Sequence, residues 1–380
     1  MLPLIRRFGA NILALVLGSS VSAETYQVYV GTYTGPKSEG IYSYRFNTDS
    51  GTVEPLGLAA KSVSPSFLAL SPDGRFLYSV NEENQWKGQP GGYVTAYARQ
   101  PGQTLLKELN QQSSMGAGPC HLTVDSSGRN VLAANYGGGS VVCLPVNMDG
   151  SLKPHSSLIQ HTGSSVNPNR QKEPHAHSVN LSPDNRFAFV ADLGLDKVFV
   201  HRLNPGEGTL TPNDPPAAKL APGSGPRHFA FAPNGQHAFV INEMLSTLTS
   251  FAYEAPTGVL KEVQTISTLP KGFTGDNSTA QVCVHPNGRF VYGSNRGDDS
   301  IAVFALAPDG KLTFVERVST QGKTPRNFNL DPTGIFLWAA NQNSNSIVLF
   351  RVDPATGRLT PTGKTLEVGS PVCVVFAPAI

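Results

Sequence analysis

The chain has 380 residues, of which 38 are glycine and 30 are proline, and charged residues make up only 15%. This composition favours many short strands joined by turns, and no long stretch of helical periodicity is visible. Residues 1–23 carry two arginines and no acid, so the rest of the chain has 27 basic and 27 acidic residues. A neutral chain lacks the basic surface that binds nucleic acid or anionic membranes, so we expect neither as a partner.

The first 23 residues have the pattern of a secretory signal. Two adjacent arginines precede an apolar run over 8–17, and residues 21–23 are small enough for a cleavage site. The run is too short to span a bilayer comfortably. We expect a cleaved signal, a single domain over 24–380 and a periplasmic or secreted location. The alternative is an uncleaved N-terminal anchor.

One phrase recurs roughly every 50 residues, within the range of propeller repeats. Its four positions are a small residue, then Pro, then Asp or Asn, and then Gly. An apolar run that ends in Asn follows them. Asp-Gly and Asn-Gly between two β-rich runs indicate a hairpin turn. The six turns lie at 71–74, 125–128, 182–185, 232–235, 285–288 and 331–334.

Each turn follows the first strand of a repeat, and there are seven such strands. They begin at Pro65, Pro119, Ala176, Pro226, Thr279, Pro325 and Pro371. The last one has no hairpin partner after it, but residues 26–34 near the N-terminus resemble the missing second strand. Third and fourth strands follow at 41–46 and 53–59. An open solenoid or two sandwiches would not explain this split repeat.

We therefore predict an all-β, seven-bladed β-propeller of four-stranded blades. The N- and C-terminal strands pair within one blade, which closes the ring and hides its open edges. The four cysteines, Cys120, Cys143, Cys283 and Cys373, match no zinc spacing. Three lie in first strands of different blades, so we expect free buried thiols rather than disulfides.

Ring closure should bring the starts of the first strands and the ends of the second strands to one mouth of the central channel. Three cations there, Arg227, Arg296 and Arg326, repel one another unless they hold an acid or an anion. Glu243 is the obvious acid, so we interpret this cluster as functional. The recurring strand-end Asn is interpreted as structural. Glu82, Tyr136 and Asp192 are expected to line the rim.

His175 and His177 share one face of a strand, a spacing that also suits a metal pair. No clear third ligand is present, and nearby cations oppose a metal. A calcium site built from Glu243 and the recurring Asn residues is a weaker alternative. We expect no metal and no cofactor.

Several stretches, in order along nearly all of the mature chain, resemble the propeller lactonase family. This family includes propeller-type 6-phosphogluconolactonases and fungal carboxy-cis,cis-muconate lactonising enzymes. The stretches are Val30–Thr34, Pro119–His121, Ala134–Ser140, Arg170-Gln171, Pro174–His177, Asp192–Asp196, Gly225–His228, Asn242-Glu243, Ser294–Gly297 and Pro325–Phe328.

The resemblance implies an all-β enzyme that acts on lactones through one His, two Arg and one Glu. These map to His177, with His175 as its competitor, and to Arg227, Arg296 and Glu243. Either Glu243 or His177 would be the general base. We expect further substrate contacts from His121, Arg170, Gln171, His175, His228 and Arg326. His121 and His228 could equally be interior histidines.

The expected partner is a small-molecule sugar lactone. A free aldonolactone such as glucono-1,5-lactone suits an exported enzyme better than cytosolic 6-phosphogluconolactone. The alternatives are a 6-phosphogluconolactonase, a muconate-type lactonising cyclase and a non-catalytic propeller that binds a protein or glycan. The sequence leaves the choice between monomer and dimer open.

Overall fold

A computed structural model describes residues 25–379, so the expected signal segment and its cleavage site lie outside the described residues. No helix in this range is both long enough and apolar enough to cross a membrane. The strands, numbered in chain order, are β1 (Thr25–Thr32), β2 (Gly40–Asn47), β3 (Thr52–Lys61), β4 (Leu68–Leu70), β5 (Phe76–Asn81), β6 (Gln85–Trp86), β7 (Gln89–Pro90), β8 (Tyr93–Ala98), β9 (Lys107–Ser113), β10 (Pro119–Val124), β11 (Asn130–Asn135), β12 (Ser140–Pro145), β13 (Ser157–Gln160), β14 (Ala176–Leu181), β15 (Phe187–Asp192), β16 (Lys197–Asn204), β17 (Thr209–Lys219), β18 (Pro226–Phe231), β19 (His237–Asn242), β20 (Thr247–Glu254), β21 (Val259–Ser267), β22 (Ser278–Val284), β23 (Phe290–Arg296), β24 (Ser300–Leu306), β25 (Leu312–Ser319), β26 (Pro325–Leu330), β27 (Phe336–Asn341), β28 (Ser346–Val352), β29 (Leu359–Glu367) and β30 (Pro371–Pro378).

Within residues 25–379, twenty-eight of these strands form seven four-stranded antiparallel blades, as the repeat predicted, and β6 pairs with β7 in a separate two-stranded sheet. Blades 1 to 6 contain β4, β5, β8 and β9; β10 to β13; β14 to β17; β18 to β21; β22 to β25; and β26 to β29. The closing blade has the order β3-β2-β1-β30, which confirms that the two ends of the chain meet in one blade. The first strands contact one another around the ring, so they line its channel.

The core of the ring is divided among the blade interfaces. Seven apolar clusters each join two neighbouring blades. Trp338 of blade 6, for example, packs edge-on against Phe46 of the closing blade, with ring centroids 5.2 Å apart. Burying a side chain of this kind contributes about 1.5–3 kcal/mol. Because every blade is held on both faces, the ring fixes the channel residues relative to one another.

The hairpin turns have the backbone that the sequence requires. Gly74 and Gly288, at two of the turns, have φ of 69° and 70°, in the left-handed region where glycine has no steric penalty. Asn185 takes the same place in blade 3 with φ of 60°. Asn tolerates this conformation better than most residues with a side chain.

Five of the seven inner strands share a β-bulge at the channel mouth. Pairing of β18 with β19 passes from Pro226–Asn242 to His228–Ile241, which leaves Arg227 as an extra residue. The residues in the same position on other blades are Cys120, His177, Arg326 and Val372. A bulge re-aims a side chain without breaking the rest of the ladder. The motif position after each proline is therefore turned out of the regular pleat.

The strand-end asparagines have structural contacts. Nδ2 of Asn135 donates to Ser114 O, and Nδ2 of Asn341 donates to Thr320 O, so each ties its strand to the segment that precedes its own blade. The four cysteines are free thiols, as predicted; three are buried and Cys283 is partly exposed.

Candidate active site

Two sets of positions meet at the mouth of the channel. One is the bulge residue of each inner strand. The other is the residue that follows the strand-end Asn, or the residue in its place, on each second strand. The second set contains Tyr33, Glu82, Tyr136, Leu193, Glu243, Arg296 and Gln342.

The expectation that Asp192 lines the rim is wrong. Asp192 pairs with Ala176 and so occupies the place of the strand-end Asn. It is fully buried, where its Oδ2 lies 2.7 Å from Nδ1 of His161 and its Oδ1 accepts the His175 backbone N–H. Asp192 therefore supports the backbone that leads into His177.

Glu243 is the centre of the charged cluster. Its Oε2 accepts hydrogen bonds from Arg227 Nε at 3.0 Å and from Arg296 Nη2 at 2.8 Å. Its Oε1 accepts from Arg170 Nη2 at 2.7 Å. His177 Nε2 lies 3.9 Å from the same Oε2. The structure thus gathers all four residues that were predicted to be catalytic around one carboxylate.

The charges in this cluster are strongly coupled. Burial opposes ionisation of Glu243, but Arg296, Arg227 and Arg170 outweigh it and hold its pKa at about 2. Burial and the charges of Arg296 and Arg326 lower the pKa of Arg227, and Glu243 opposes that shift. Arg227 is only 2% exposed and also donates to Ala280 O. Such a cluster holds its guanidinium groups rigidly.

His177 is buried as a neutral imidazole. Its Nδ1 lies 3.6 Å from Cys120 Sγ, and Cys120 also approaches the His177 carbonyl oxygen at 3.3 Å. Burial, followed by the charges of Arg227 and Arg326, lowers the pKa of His177 well below its usual value. A neutral imidazole can accept a proton at physiological pH.

His228 and His121 form the next layer of the channel. Arg227 donates to Nε2 of His228, so the other ring nitrogen of this neutral imidazole carries the proton and donates to Gln281. Nδ1 of His121 accepts the Val179 N–H, and burial lowers the pKa of His121 to about 3. Both histidines thus have interior partners.

The loop before β14 supplies Arg170 and His175 to the mouth. Arg170 also donates to the Tyr136 hydroxyl, and the His175 ring stacks on Tyr136 with centroids 4.5 Å apart. Gln171 is fully buried, and its amide donates to Leu193 O and Asp196 Oδ1. The structure therefore places Gln171 among the contacts that hold the loop.

Arg326 lies on the other side of the mouth, where its guanidinium group sits over the Tyr33 ring at 5.4 Å from the centroid. Tyr33 and Ser66 both donate hydrogen bonds to Glu82. A narrow cavity joins this side to the cluster. It is lined by Tyr33, Ser66, Phe67, Glu82, Cys120, Arg227, His228, Arg326 and Val372.

From the sequence, Glu82 was expected at the rim without a role, and Tyr33 was not singled out. The signal for Tyr33 was the N-terminal second strand itself. Thr32 pairs with Pro371 just as each strand-end Asn pairs with its proline, so Tyr33 occupies the same place as Glu243.

Residues 25–379 contain no group of three or more His, Cys, Asp or Glu side chains arranged to hold a metal ion. His175 and His177, the suggested metal pair, have separate partners: Tyr136 O accepts from Nδ1 of His175, and Cys120 contacts His177.

The fold and this site define a seven-bladed propeller with an acid, arginine and histidine cluster in its channel mouth. Residues 27–376 match the family described as "Lactonase, 7-bladed beta-propeller". The chain belongs to this lactonase family, which confirms the resemblance found in the sequence.

Named relatives match nearly full length. The 6-phosphogluconolactonase of Bacillus subtilis is 41% identical over 92% of this chain and 98% of its own. The 6-phosphogluconolactonase of Formosa agariphila is 36% identical over 90% of this chain and 96% of its own. The solved structure of the periplasmic gluconolactonase of Pseudomonas aeruginosa is 39% identical, with a TM-score of 0.88, and covers 94% of this chain and all of that one. These relatives support a lactonase that acts on sugar lactones.

Proposed function

We propose that this enzyme hydrolyses an unphosphorylated sugar lactone, such as glucono-1,5-lactone, to the aldonic acid. The observation that carries the proposal is the convergence on Glu243: three guanidinium groups contact its carboxylate, and a neutral His177 lies 3.9 Å away. Lactone hydrolysis needs a base for water and fixed positive charge for the oxyanion, and the cluster offers both.

In the proposed mechanism His177 is the base. Glu243, with its pKa held at about 2, stays ionised, and both of its oxygens already accept hydrogen bonds from arginines. His177 takes a proton from water as the water oxygen attacks the lactone carbonyl carbon. Arg227 and Arg296 stabilise the oxyanion, an effect of about 3 kcal/mol for a well-placed donor.

The second step opens the ring. The oxyanion re-forms the carbonyl, the bond from carbon to the ring oxygen breaks, and the protonated His177 returns its proton to that oxygen. Glu243 would hold the arginines in position throughout. The residues supply every proton transfer without a cofactor.

We further propose that residues 1–23 direct export and that the enzyme acts in the periplasm. A solved relative is itself named a periplasmic gluconolactonase. The compartment favours a free lactone formed outside the cytosol over a phosphorylated one.

A 6-phosphogluconolactonase is the second candidate. It is favoured by the excess of cations in the mouth, where Arg170, Arg227, Arg296 and Arg326 face only Glu82 and Glu243. A muconate-type diacid would also suit such an excess. Turnover of each substrate, corrected for spontaneous hydrolysis, separates these candidates.

The decisive experiment measures hydrolysis of glucono-1,5-lactone by the purified protein with EDTA present. Glu243→Gln and Arg227→Ala should each lose most of the activity. Glu173→Gln, which removes an exposed acid from the nearby loop, is the matched control and should retain it. Undiminished turnover in both site variants would rule out this cluster as the catalytic site.

A further inference from the structure

Beside the cluster around Glu243, which we call the Glu243 half of the mouth, lies the Glu82 half, which is the side of the cavity lined by Tyr33, Ser66, Glu82 and Arg326. Glu82 Oε2 accepts hydrogen bonds from the Tyr33 hydroxyl at 2.9 Å and the Ser66 hydroxyl at 2.5 Å. Neither donor is charged. Two neutral groups therefore fix the direction of the Glu82 carboxyl group, and among residues 25–379 no cationic side chain donates a hydrogen bond to it.

Polar atoms of this half are left without protein partners. Among residues 25–379, none donates a hydrogen bond to Oε1 of Glu82, and none accepts one from the Arg326 guanidinium group. Both side chains line the same cavity. Tyr33 contacts both, because its hydroxyl bonds Glu82 and its ring lies under Arg326. The cavity thus presents a carboxylate oxygen of Glu82 that can accept a hydrogen bond and guanidinium N–H groups of Arg326 that can donate them.

A sugar hydroxyl matches this arrangement, because it can donate to a carboxylate and accept from a guanidinium group at once. A phosphate or carboxylate group, once ionised, mainly accepts. Such an anion would also be repelled by Glu82, and charges in a buried cavity are weakly screened.

We propose that Glu82, fixed by Tyr33 and Ser66 and paired across the cavity with Arg326, binds ring hydroxyls of the substrate and selects free over phosphorylated sugar lactones. This inference rests on the proposed function and adds specificity-determining residues to it. The Glu82 carboxylate also offsets the excess of arginines in the mouth, because it lies where a phosphate group would otherwise bind Arg326.

The test compares Glu82→Gln with wild type on glucono-1,5-lactone and 6-phosphogluconolactone. The substitution keeps the shape and removes the charge. We expect kcat/KM for the free lactone to fall roughly tenfold or more, since the substrate hydroxyl loses a charged hydrogen-bond acceptor. The ratio of phosphorylated to free kcat/KM should rise at least tenfold. Glu83→Gln, which removes the same charge one residue later, should leave the ratio unchanged.

An equal loss on both substrates would overturn the proposal, since it would give Glu82 a purely structural role. Tyr33→Phe serves as a second variant in case Glu82→Gln folds poorly; it keeps the ring under Arg326 and should shift the ratio in the same direction.

A binding measurement separates this inference from the proposed function. The probe is 1,5-anhydroglucitol, a neutral cyclic polyol without a carbonyl group, and saturation-transfer NMR detects its contact. Wild type should bind it, and Glu82→Gln should bind it at least fivefold more weakly. Unchanged binding in Glu82→Gln would overturn the subsite. A wild type that binds the polyol but hydrolyses neither lactone would refute the proposed function alone.

Discussion

Glu243 and Glu82 occupy the same place on two blades, directly after the end of a second strand, yet their surroundings differ. Glu243 of blade 4 is bonded to three arginines, and Glu82 of blade 1 to two hydroxyl groups. The backbone framework is the same in both cases. The difference shows that the partners supplied by the same blade and by other blades, and not the position itself, determine what each carboxylate can do.

The two acids differ in how many of their carboxylate oxygens accept hydrogen bonds from the protein. Both oxygens of Glu243 accept hydrogen bonds from cations, so it acts as a fixed counter-ion. One oxygen of Glu82 remains open to the cavity. We therefore assign the chemical step to the Glu243 half and substrate choice to the Glu82 half, and each assignment can be broken separately.

The largest expected effect comes from the Glu243 half. Arg227→Ala should reduce kcat for glucono-1,5-lactone roughly 10²- to 10³-fold, the usual result of removing one donor from an oxyanion site. Arg227→Lys should recover little of this activity, because a lysine cannot reproduce the planar, multiple contacts of the guanidinium group. Steady-state kinetics measure both. Near-normal kcat in Arg227→Ala would remove the chemical step from this half.

The coupling of Glu243 to its arginines should appear in the acid stability of the protein. A carboxylate with a lowered folded pKa stabilises the folded state above its ordinary pKa of 4.5, and that stability is lost as pH falls towards 2. The lost part is on the order of 3 kcal/mol.

Urea unfolding at several pH values measures this loss. Wild type should lose more stability than Glu243→Gln between about pH 4.5 and 2. Parallel curves for the two proteins would show that the arginines do not hold the carboxylate ionised in the folded state.

Arg170 should have a smaller effect, because it reaches Glu243 from a loop and its side chain is 43% exposed. Arg170→Met should raise KM by about two- to fivefold with little change in kcat, since exposed ion pairs contribute about 1 kcal/mol or less. Lys172→Met, from the same loop and exposed, is the control and should not change KM. A large fall in kcat would instead place Arg170 in the chemical step.

The smallest expected effect is a nearly flat dependence of kcat/KM on pH. Burial and neighbouring arginines lower the pKa of His177 well below 6.5, so it stays neutral and kcat/KM should vary less than about twofold from pH 5 to 8. The stability of the folded protein, in contrast, should depend on pH. Below pH 6.5 an unfolded histidine binds a proton more readily than the folded one, so the folded state becomes less stable as pH falls. A limb in kcat/KM near pH 6.5 would contradict the neutral base.

The ring was predictable because its signals are local and repeated. Each Asp-Gly or Asn-Gly turn defines a hairpin, and the unpaired last strand predicts closure with residues 26–34. The spacing also placed Glu243 and Arg296 in equivalent positions after a strand-end Asn, and Arg227 at the start of a first strand that faces them. Like charges in one channel predicted the acid between them.

The misplaced residues depended on details that spacing does not carry. Asp192 was shifted by one place, because an aspartate there replaces the usual strand-end Asn. Gln171 lies in a long loop whose path is set by Asp196, which accepts hydrogen bonds from Ser165, Gln171, Gly223 and Gly225. The partners of Glu82 come from the closing blade and blade 1, and no motif joins them.

The repeated bulge has a consequence for how such a molecule can acquire new chemistry. An extra residue outside the ladder has no strand partner, so replacing its side chain leaves the pairing of the blade intact. Each bulge is therefore a position on the ring where one side chain can be exchanged for another, and Val372 is one such position that carries only an apolar side chain. Substitutions at these bulge positions would change the range of substrates one position at a time and leave the seven apolar clusters that hold the ring unchanged.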